Sequence, residues 1–248
     1  MKILYRIAQA LVLLAVASSF AHANDFMYFK KKAAAGVSCP NCPAGYLLAQ
    51  GFEGTGYDCG ETWTTAGDTA SIDIDNTTTP GECTQSARVV NTSQDTYIAH
   101  AFTAASEQWA YFRVRFETIP GGSRLFFVLS DATTARMYLT IGATGAVTCT
   151  QGTVASTATV SVMAANTWYD VWTRYKASTA TNGICEVGFS TDGTEPTSGN
   201  NYSSTAVGNA TQNIQNILLF CDWTSTAGPA TRYDKVRLDD ADIGSNPN

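Results

Sequence analysis

The chain has 248 residues, with 15 basic against 21 acidic side chains and a net charge of −6. That balance argues against non-specific nucleic-acid binding, which positive charge drives. The length suits one large domain with at most a small appendage, enough to bury a full core without help from metals.

Lys2 and Arg6 open the chain, an apolar run follows from Ile7 to Ala17, and Ala21-His22-Ala23 supplies a small-x-small cleavage pattern. Residues 1–23 therefore read as a cleavable signal peptide. The apolar run is about half of the ~20 residues that span a bilayer, and no membrane span is expected after cleavage. Loss of Lys2 and Arg6 leaves 13 basic against 21 acidic residues, a net charge of −8. The mature chain is expected outside the cell, or in the periplasm of a bacterium. All seven cysteines lie in the exported part, where disulfides are the first expectation. Nearness along the chain suggests Cys59–Cys83 and Cys149–Cys185, with Cys39–Cys42 a short loop. Spacing leaves the connectivity open, and an odd cysteine remains.

Residues 24–45 read as a tether. Lys30-Lys31-Lys32 has no sheet periodicity, and the CxxC at Cys39 and Cys42 lacks the helix that a redox motif opens, so it reads as a structural clip. Residues 46–248 form the domain. Strands are expected near 46–53, 86–90, 96–103, 108–117, 124–130, 135–141, 146–150, 158–162, 168–176, 184–190, 214–221 and 232–239, rich in Val, Thr, Tyr and Trp and bounded by turn residues. The Thr- and Ser-rich stretches 62–79 and 191–212 read as loops. Many short antiparallel strands at this spacing predict an all-β sandwich or jelly roll.

Alternation assigns faces within the strands. Ala110, Phe112, Val114 and Phe116 share one face, opposite Trp109, Tyr111, Arg113 and Arg115. Met137, Leu139 and Ile141 oppose Arg136 and Tyr138. Tyr169, Val171, Thr173 and Tyr175 oppose Trp168, Asp170, Trp172, Arg174 and Lys176, while Cys185, Val187 and Phe189 oppose Glu186. Each strand has an apolar face for a core and a second face that mixes rings with charge.

Gln50-Gly51-Phe52-Glu53-Gly54-Thr55-Gly56-Tyr57-Asp58 resembles the first strand of concanavalin A-like, laminin-G-like jelly-roll domains. Asn166-Thr167-Trp168-Tyr169-Asp170-Val171-Trp172-Thr173-Arg174-Tyr175 resembles their strand that starts with tryptophan. Tyr233-Asp234-Lys235-Val236-Arg237-Leu238-Asp239-Asp240 is similar to their last strand. The likeness covers roughly residues 46–244. It implies two curved antiparallel sheets packed face to face, in a superfamily of lectins, carbohydrate-binding modules, adhesion domains, glucanases and lyases. It also nominates Glu53 and Asp234, with Asp58, as oxygen ligands of a structural calcium joining the first and last strands, a role for which carboxylates are suited.

Fold does not fix activity, so function rests on the site. The Glu-x-Asp-x-x-Glu string of the glucanases is absent, and Asp73 and Asp75 read as turn or solvated residues. His100 is the single histidine after signal cleavage and shares parity with Ile98 and Phe102, an inward or edge position. No nucleophile-elbow sequence accompanies it. The mixed face stands out instead. Trp109, Tyr111, Arg113, Arg115, Arg136, Tyr138, Trp172, Arg174, Lys176 and Glu186 would line a shallow concave groove if their strands are neighbours. Rings suit sugar faces and guanidinium forks suit carboxylates or sulfates. The alternative is that they are exposed strand residues, with Arg stems packed on Trp and Tyr. The sequence thus predicts a non-catalytic module binding a glycan, an acidic polysaccharide among the candidates. A polysaccharide-degrading enzyme and a surface or adhesion subunit are the rival readings.

Overall fold

The computed structural model describes residues 48–50, 52, 63–66, 72–75, 85–90, 96–152, 154–178, 183–207, 212–221 and 230–244. Among the described residues every regular element is a strand: β1 (Leu48–Gln50), β2 (Thr64–Ala66), β3 (Ile72–Asp75), β4 (Ser86–Val89), β5 (Thr96–Ala105), β6 (Glu107–Phe116), β7 (Arg124–Ser130), β8 (Ala135–Ile141), β9 (Ala146–Gln151), β10 (Val154–Val162), β11 (Trp168–Lys176), β12 (Gly183–Ser190), β13 (Tyr202–Val207), β14 (Ile214–Cys221) and β15 (Thr231–Asp239). They form two antiparallel sheets. The first runs β13-β12-β11-β6-β15-β4-β3, with β1 also paired to β15, and the second runs β10-β9-β8-β7-β14-β5-β2. The chain crosses between sheets repeatedly, as in a jelly-roll sandwich. No described helix is long and apolar enough to cross a membrane.

Three short strands fall where the sequence reads as loop. β2 and β3 lie within 62–79, and β13 lies within 191–212. All three stand at sheet ends. Their Thr, Ser and Asp content hides them, because an edge strand needs only one paired side and one buried face. Asp73 and Asp75 therefore belong to strand β3 rather than to a turn.

The core sits between the sheets, on the faces that alternation assigns. Phe112, Val114, Met137, Leu139, Val171, Tyr175, Val187 and Phe189 all lie in one buried cluster. A bulge between Leu125 and Phe127 in β7 turns two consecutive phenylalanines inward. Phe127 stacks on Phe112 at 4.7 Å between centroids, and Phe126 meets Phe116 edge-on at 5.3 Å. A second bulge, between Asp234 and Arg237 in β15, places Lys235 at φ 51°. The Asp234 carboxylate accepts the Lys235 N–H at 2.8 Å there. Gly145 ends the β8–β9 turn at φ 84°, where a Cβ would come within 2.1 Å of the Met163 carbonyl oxygen. Only glycine combines that dihedral with that approach.

Cys149 on β9 and Cys185 on β12 are both fully buried and form a disulfide that joins the two sheets. This is one of the pairs that nearness along the chain suggested. Cys39, Cys42, Cys59 and Cys83 lie outside the described residues.

The bridge closes a separation of 36 residues. Replacing both cysteines by alanine should lower the unfolding free energy by about 4 kcal/mol, as for a loop of this size. Urea unfolding of the double variant beside the parent checks this.

Candidate functional site

The outer face of the first sheet is built by β6 and β11, which pair without a break from Trp168↔Arg115 to Lys176↔Glu107. Side chains therefore stand in rows across the strands. One row holds Ser204, Glu186, Arg174, Trp109 and Asp239, and the next holds Tyr202, Gly188, Trp172, Tyr111 and Arg237. Eight of the ten expected face residues meet on this sheet: Trp109, Tyr111, Arg113, Arg115, Trp172, Arg174, Lys176 and Glu186.

Arg136 and Tyr138 do not join them. Both lie on β8 in the second sheet. Arg136 bonds Asp131 through Nε at 2.8 Å. Burial raises the Asp131 carboxyl, but N–H groups of Thr133 and Thr134 and the Arg136 fork outweigh it and hold it low. Tyr138 packs on a small apolar cluster of Tyr97, Ala99, Leu125, Val128, Ala135 and Leu218 on that sheet's own outer face. Alternation names the face of a strand and is silent on which sheet carries the strand.

On the first sheet the rings and charges largely engage one another. Tyr111 is fully buried, donates to Asp170 Oδ1 at 2.5 Å and packs on Trp172 at 5.2 Å. Trp172 is buried too, and its Nε1 donates to the Gly244 carbonyl at 2.9 Å. Arg113 Nε sits 3.2 Å from Asp170, with its guanidinium 5.8 Å from the Trp168 ring. Arg174 lies over Trp109 at 4.7 Å, and its Nε donates to Glu107 Oε1 at 2.9 Å. Lys176 reaches the other Glu107 oxygen at 3.2 Å. Burial raises the Glu107 carboxyl, but the bonds from Arg174 and Lys176 prevail and hold it below its ordinary value.

A small recess opens at one end of this face, lined by Trp109, Trp172, Arg174, Glu186, Tyr202 and Glu195, among others. The loop between β12 and β13 forms its wall. That loop can lie on the sheet because Gly188 has no side chain: a Cβ there would come within 2.9 Å of the Pro196 ring. Burial, then the charges of Asp242 and Glu186, push the Glu195 carboxyl up to about 7. Burial and the Glu186 charge raise the Tyr202 hydroxyl, which also bonds Glu186. The recess thus brings together two indole rings, one guanidinium, a phenol and two carboxyls, one of them poised between its two charge states near neutral pH. Sequence reasoning found Trp109, Trp172, Arg174 and Glu186 here but missed Tyr202 and Glu195. Both lie in a stretch without alternation; Tyr202 opening a Ser/Thr run was the one available signal.

Among the expected calcium ligands, Asp234 is buried on β15 opposite Arg113, while Glu53 and Asp58 lie outside the described residues. Among the described residues no group of three or more His, Cys, Asp or Glu could hold a metal. His100 is half-buried on β5 with its ring 5.4 Å from Trp63, at the core edge and away from the recess.

No family model and no curated protein sequence matches the chain. Solved structures match its fold. An endo-β-1,4-glucuronan lyase from the fungus Trichoderma reesei shares a TM-score of 0.58 at 12% identity, over 77% of this chain and 95% of the lyase. The cellulose-induced protein Cip1 gives 0.60 at 10% identity, over 80% of this chain and 100% of that one. The receptor-binding domain of botulinum neurotoxin type G gives 0.54 at 9% identity, over 80% of this chain and 49% of that one. At these identities the likeness establishes the jelly-roll sandwich.

Two outcomes follow for this face. Tyr111→Phe removes a buried bond to a carboxylate and should cost about 2 kcal/mol of unfolding free energy, measured by denaturant titration. Glu195 has a higher pKa folded than unfolded, so its protonated form stabilises the fold at low pH. That contribution fades as pH rises from the ordinary carboxylate range through about 7. Glu195→Gln should therefore gain on the parent between pH 5 and pH 8. A relative Tm change of roughly 2–4 °C corresponds to about 1 kcal/mol after solvent screening in a domain this size.

Proposed function

We propose that the chain is a secreted, non-catalytic glycan-binding module of the concanavalin A-like jelly-roll type, which holds its ligand on the outer face of the first sheet. In this reading residues 1–23 are the signal peptide, 24–45 the tether and 46–248 the domain. A calcium ion held by Glu53, Asp58 and Asp234 would join the first and last strands. The observation that carries the reading is the recess. Trp109 and Trp172 stand beside the polar groups of Arg174, Glu186, Glu195 and Tyr202, nearly all on paired strands rather than free loops. Sugars offer an apolar ring face and a rim of hydroxyls, and such a mixture on a rigid base suits both. Two of the fold neighbours bear names that refer to polysaccharides, a glucuronan lyase and a cellulose-induced protein, which supports a carbohydrate role.

One observation favours an enzyme instead. A carboxyl near 7, with a second carboxyl and a tyrosine in the same recess, has the character of a proton-transfer group. Against it stands the partnering of the surrounding face, where Arg174 and Lys176 are committed to Glu107.

A glycan array with the secreted chain, with calcium and with a chelator, separates these readings when paired with a depolymerisation assay on the glycans bound. Binding without release of shorter products is expected. Glu186→Gln with Tyr202→Phe should weaken binding about tenfold, the loss of one charge-assisted hydrogen bond. Product formation that Glu195→Gln abolishes would transfer the recess to the enzyme reading.

A further inference from the structure

Past the end of β15 the chain turns back over the outer face of the first sheet. β15 stops at Asp239, opposite Trp109 of β6, and the strand beyond β6 is β11. Gly244 already stands over β11, where its carbonyl oxygen accepts from Trp172 Nε1 at 2.9 Å. The segment 240–244 therefore crosses β6, a span of about 10 Å over two strand spacings. Ile243 lines the recess together with Pro196 and Tyr202, so the segment faces the β12–β13 loop across it. Between them the recess keeps room for about one water molecule.

The fastening is light. Among the described residues, the bond to Trp172 is the single hydrogen bond that ties 240–244 to another strand. Other bonds of the segment are local: Asp242 Oδ1 accepts the Gly244 N–H at 3.0 Å, and Asp239 Oδ1 accepts the Asp240 N–H at 2.7 Å. Gly244 sits at φ 70°, a left-handed backbone that glycine adopts without steric cost. Residues 240–242 are exposed, while Ile243 and Gly244 are half-buried.

A like charge works against the fastening. Glu195, on the β12–β13 loop, feels the charge of Asp242 on the segment. The other charged or titratable groups lining the recess are Glu186 of β12, Tyr202 of β13 and Arg174 of β11, and Arg174 is engaged with Glu107. Burial first, and then Asp242 and Glu186, raise the Glu195 carboxyl to about 7. In mild acid the segment therefore rests near a neutral group, and in mild base near a second carboxylate.

We propose that the segment 242–244 is an autoinhibitory strap: it closes the recess over Trp172, and a sugar ring enters only when the strap lifts from the indole. The closure stands on geometry alone, and the inhibitory role rests on the glycan reading of the recess. A sugar ring is many times larger than the water-sized space that the closed strap leaves. Apparent affinity is then reduced by the fraction of molecules whose strap is open. Charge on Glu195 repels Asp242 and raises that fraction, so the recess opens as pH rises through neutrality.

Nuclear magnetic resonance of the full secreted chain, isotope-labelled in its indole nitrogens, reads the strap without a ligand. The chain has five tryptophans, and the Trp172 signal is the one missing from Trp172→Phe. In mild acid the parent signal should stand downfield, as for a hydrogen-bonded indole N–H, and in a chain ending at Ala241 it should move to the free position. Raising the pH to mild base should carry the parent signal toward that position, while Asp242→Asn holds it in place. Titration with cellotetraose and with a β-1,4-glucuronate tetrasaccharide gives the second readout. In mild acid the chain ending at Ala241 should bind about tenfold tighter than the parent, the closed-to-open ratio that one hydrogen bond sustains. Thermal unfolding of both chains checks that the sandwich is intact. An indole signal that is the same in the parent and the shortened chain overturns the strap. A pH response that persists in Asp242→Asn overturns its control by charge. A closed strap with equal sugar binding to the two chains overturns the inhibitory role and leaves the glycan reading standing. A closed strap with neither sugar bound by either chain overturns the glycan reading of the recess, and the inhibitory role with it.

Discussion

The register between β6 and β11 is the constraint on which the outer face depends. Pairing runs through every residue from Trp168↔Arg115 to Lys176↔Glu107 without a bulge. Because side chains alternate with a period of two, a slip of one residue would send Trp109, Arg113 and Arg174 into the core and bring Phe112 and Val171 out to water. The core side fixes the register. Phe112 stacks on Phe127 of the facing sheet, and Tyr169 and Phe189 meet edge-on. Neither contact survives a shift, so the hydrophobic core specifies where every charge outside it must stand.

Given that register, the outer face becomes a lattice of mutual neutralisation. Asp170 serves Tyr111 and Arg113 together, Glu107 serves Arg174 and Lys176, and Glu117 serves Arg88 and Arg232. Each carboxylate is shared between two donors that stand on strands other than its own, so these pairs act as cross-strand ties as well as ion pairs. Exposed pairs of this kind contribute little one by one, but Asp170 and Tyr111 are buried and their bond carries more. The lattice also defines what is unusual. Two carboxyls, Glu186 and Glu195, share the recess, and Arg88, Arg232 and Arg115 stand opposite one another on three neighbouring strands.

The sequence was legible where physics is local. Alternation in β6, β8, β11 and β12 named the core faces correctly, because period two is imposed by each strand on itself. The Cys149–Cys185 bridge was legible by nearness along the chain. What alternation cannot convey is which strands become neighbours. Arg136 and Tyr138 share the pattern of Arg113 and Tyr111, yet β8 belongs to the other sheet. The edge strands β2, β3 and β13 escaped because Thr, Ser and Asp serve edges and loops alike. Glu195 was invisible for a related reason: its environment is made by Gly188 admitting a loop onto a strand, a fact of tertiary packing with no trace in the residues beside it. The nature of Tyr111 was also misjudged. Placed outward by parity, it is nonetheless buried, because an outward face can be covered.

The uneven distribution of charge along β6 has a consequence for orientation. The recess, with Glu186 and Glu195, and the row of Arg115, Arg232 and Arg88 lie at opposite ends of the same face. The face therefore has a head and a tail. A linear polymer laid along it in one sense meets a different sequence of charges from the same polymer reversed. On the glycan reading proposed above, a polysaccharide chain, whose two termini differ chemically, would meet these charges in an order set by its direction.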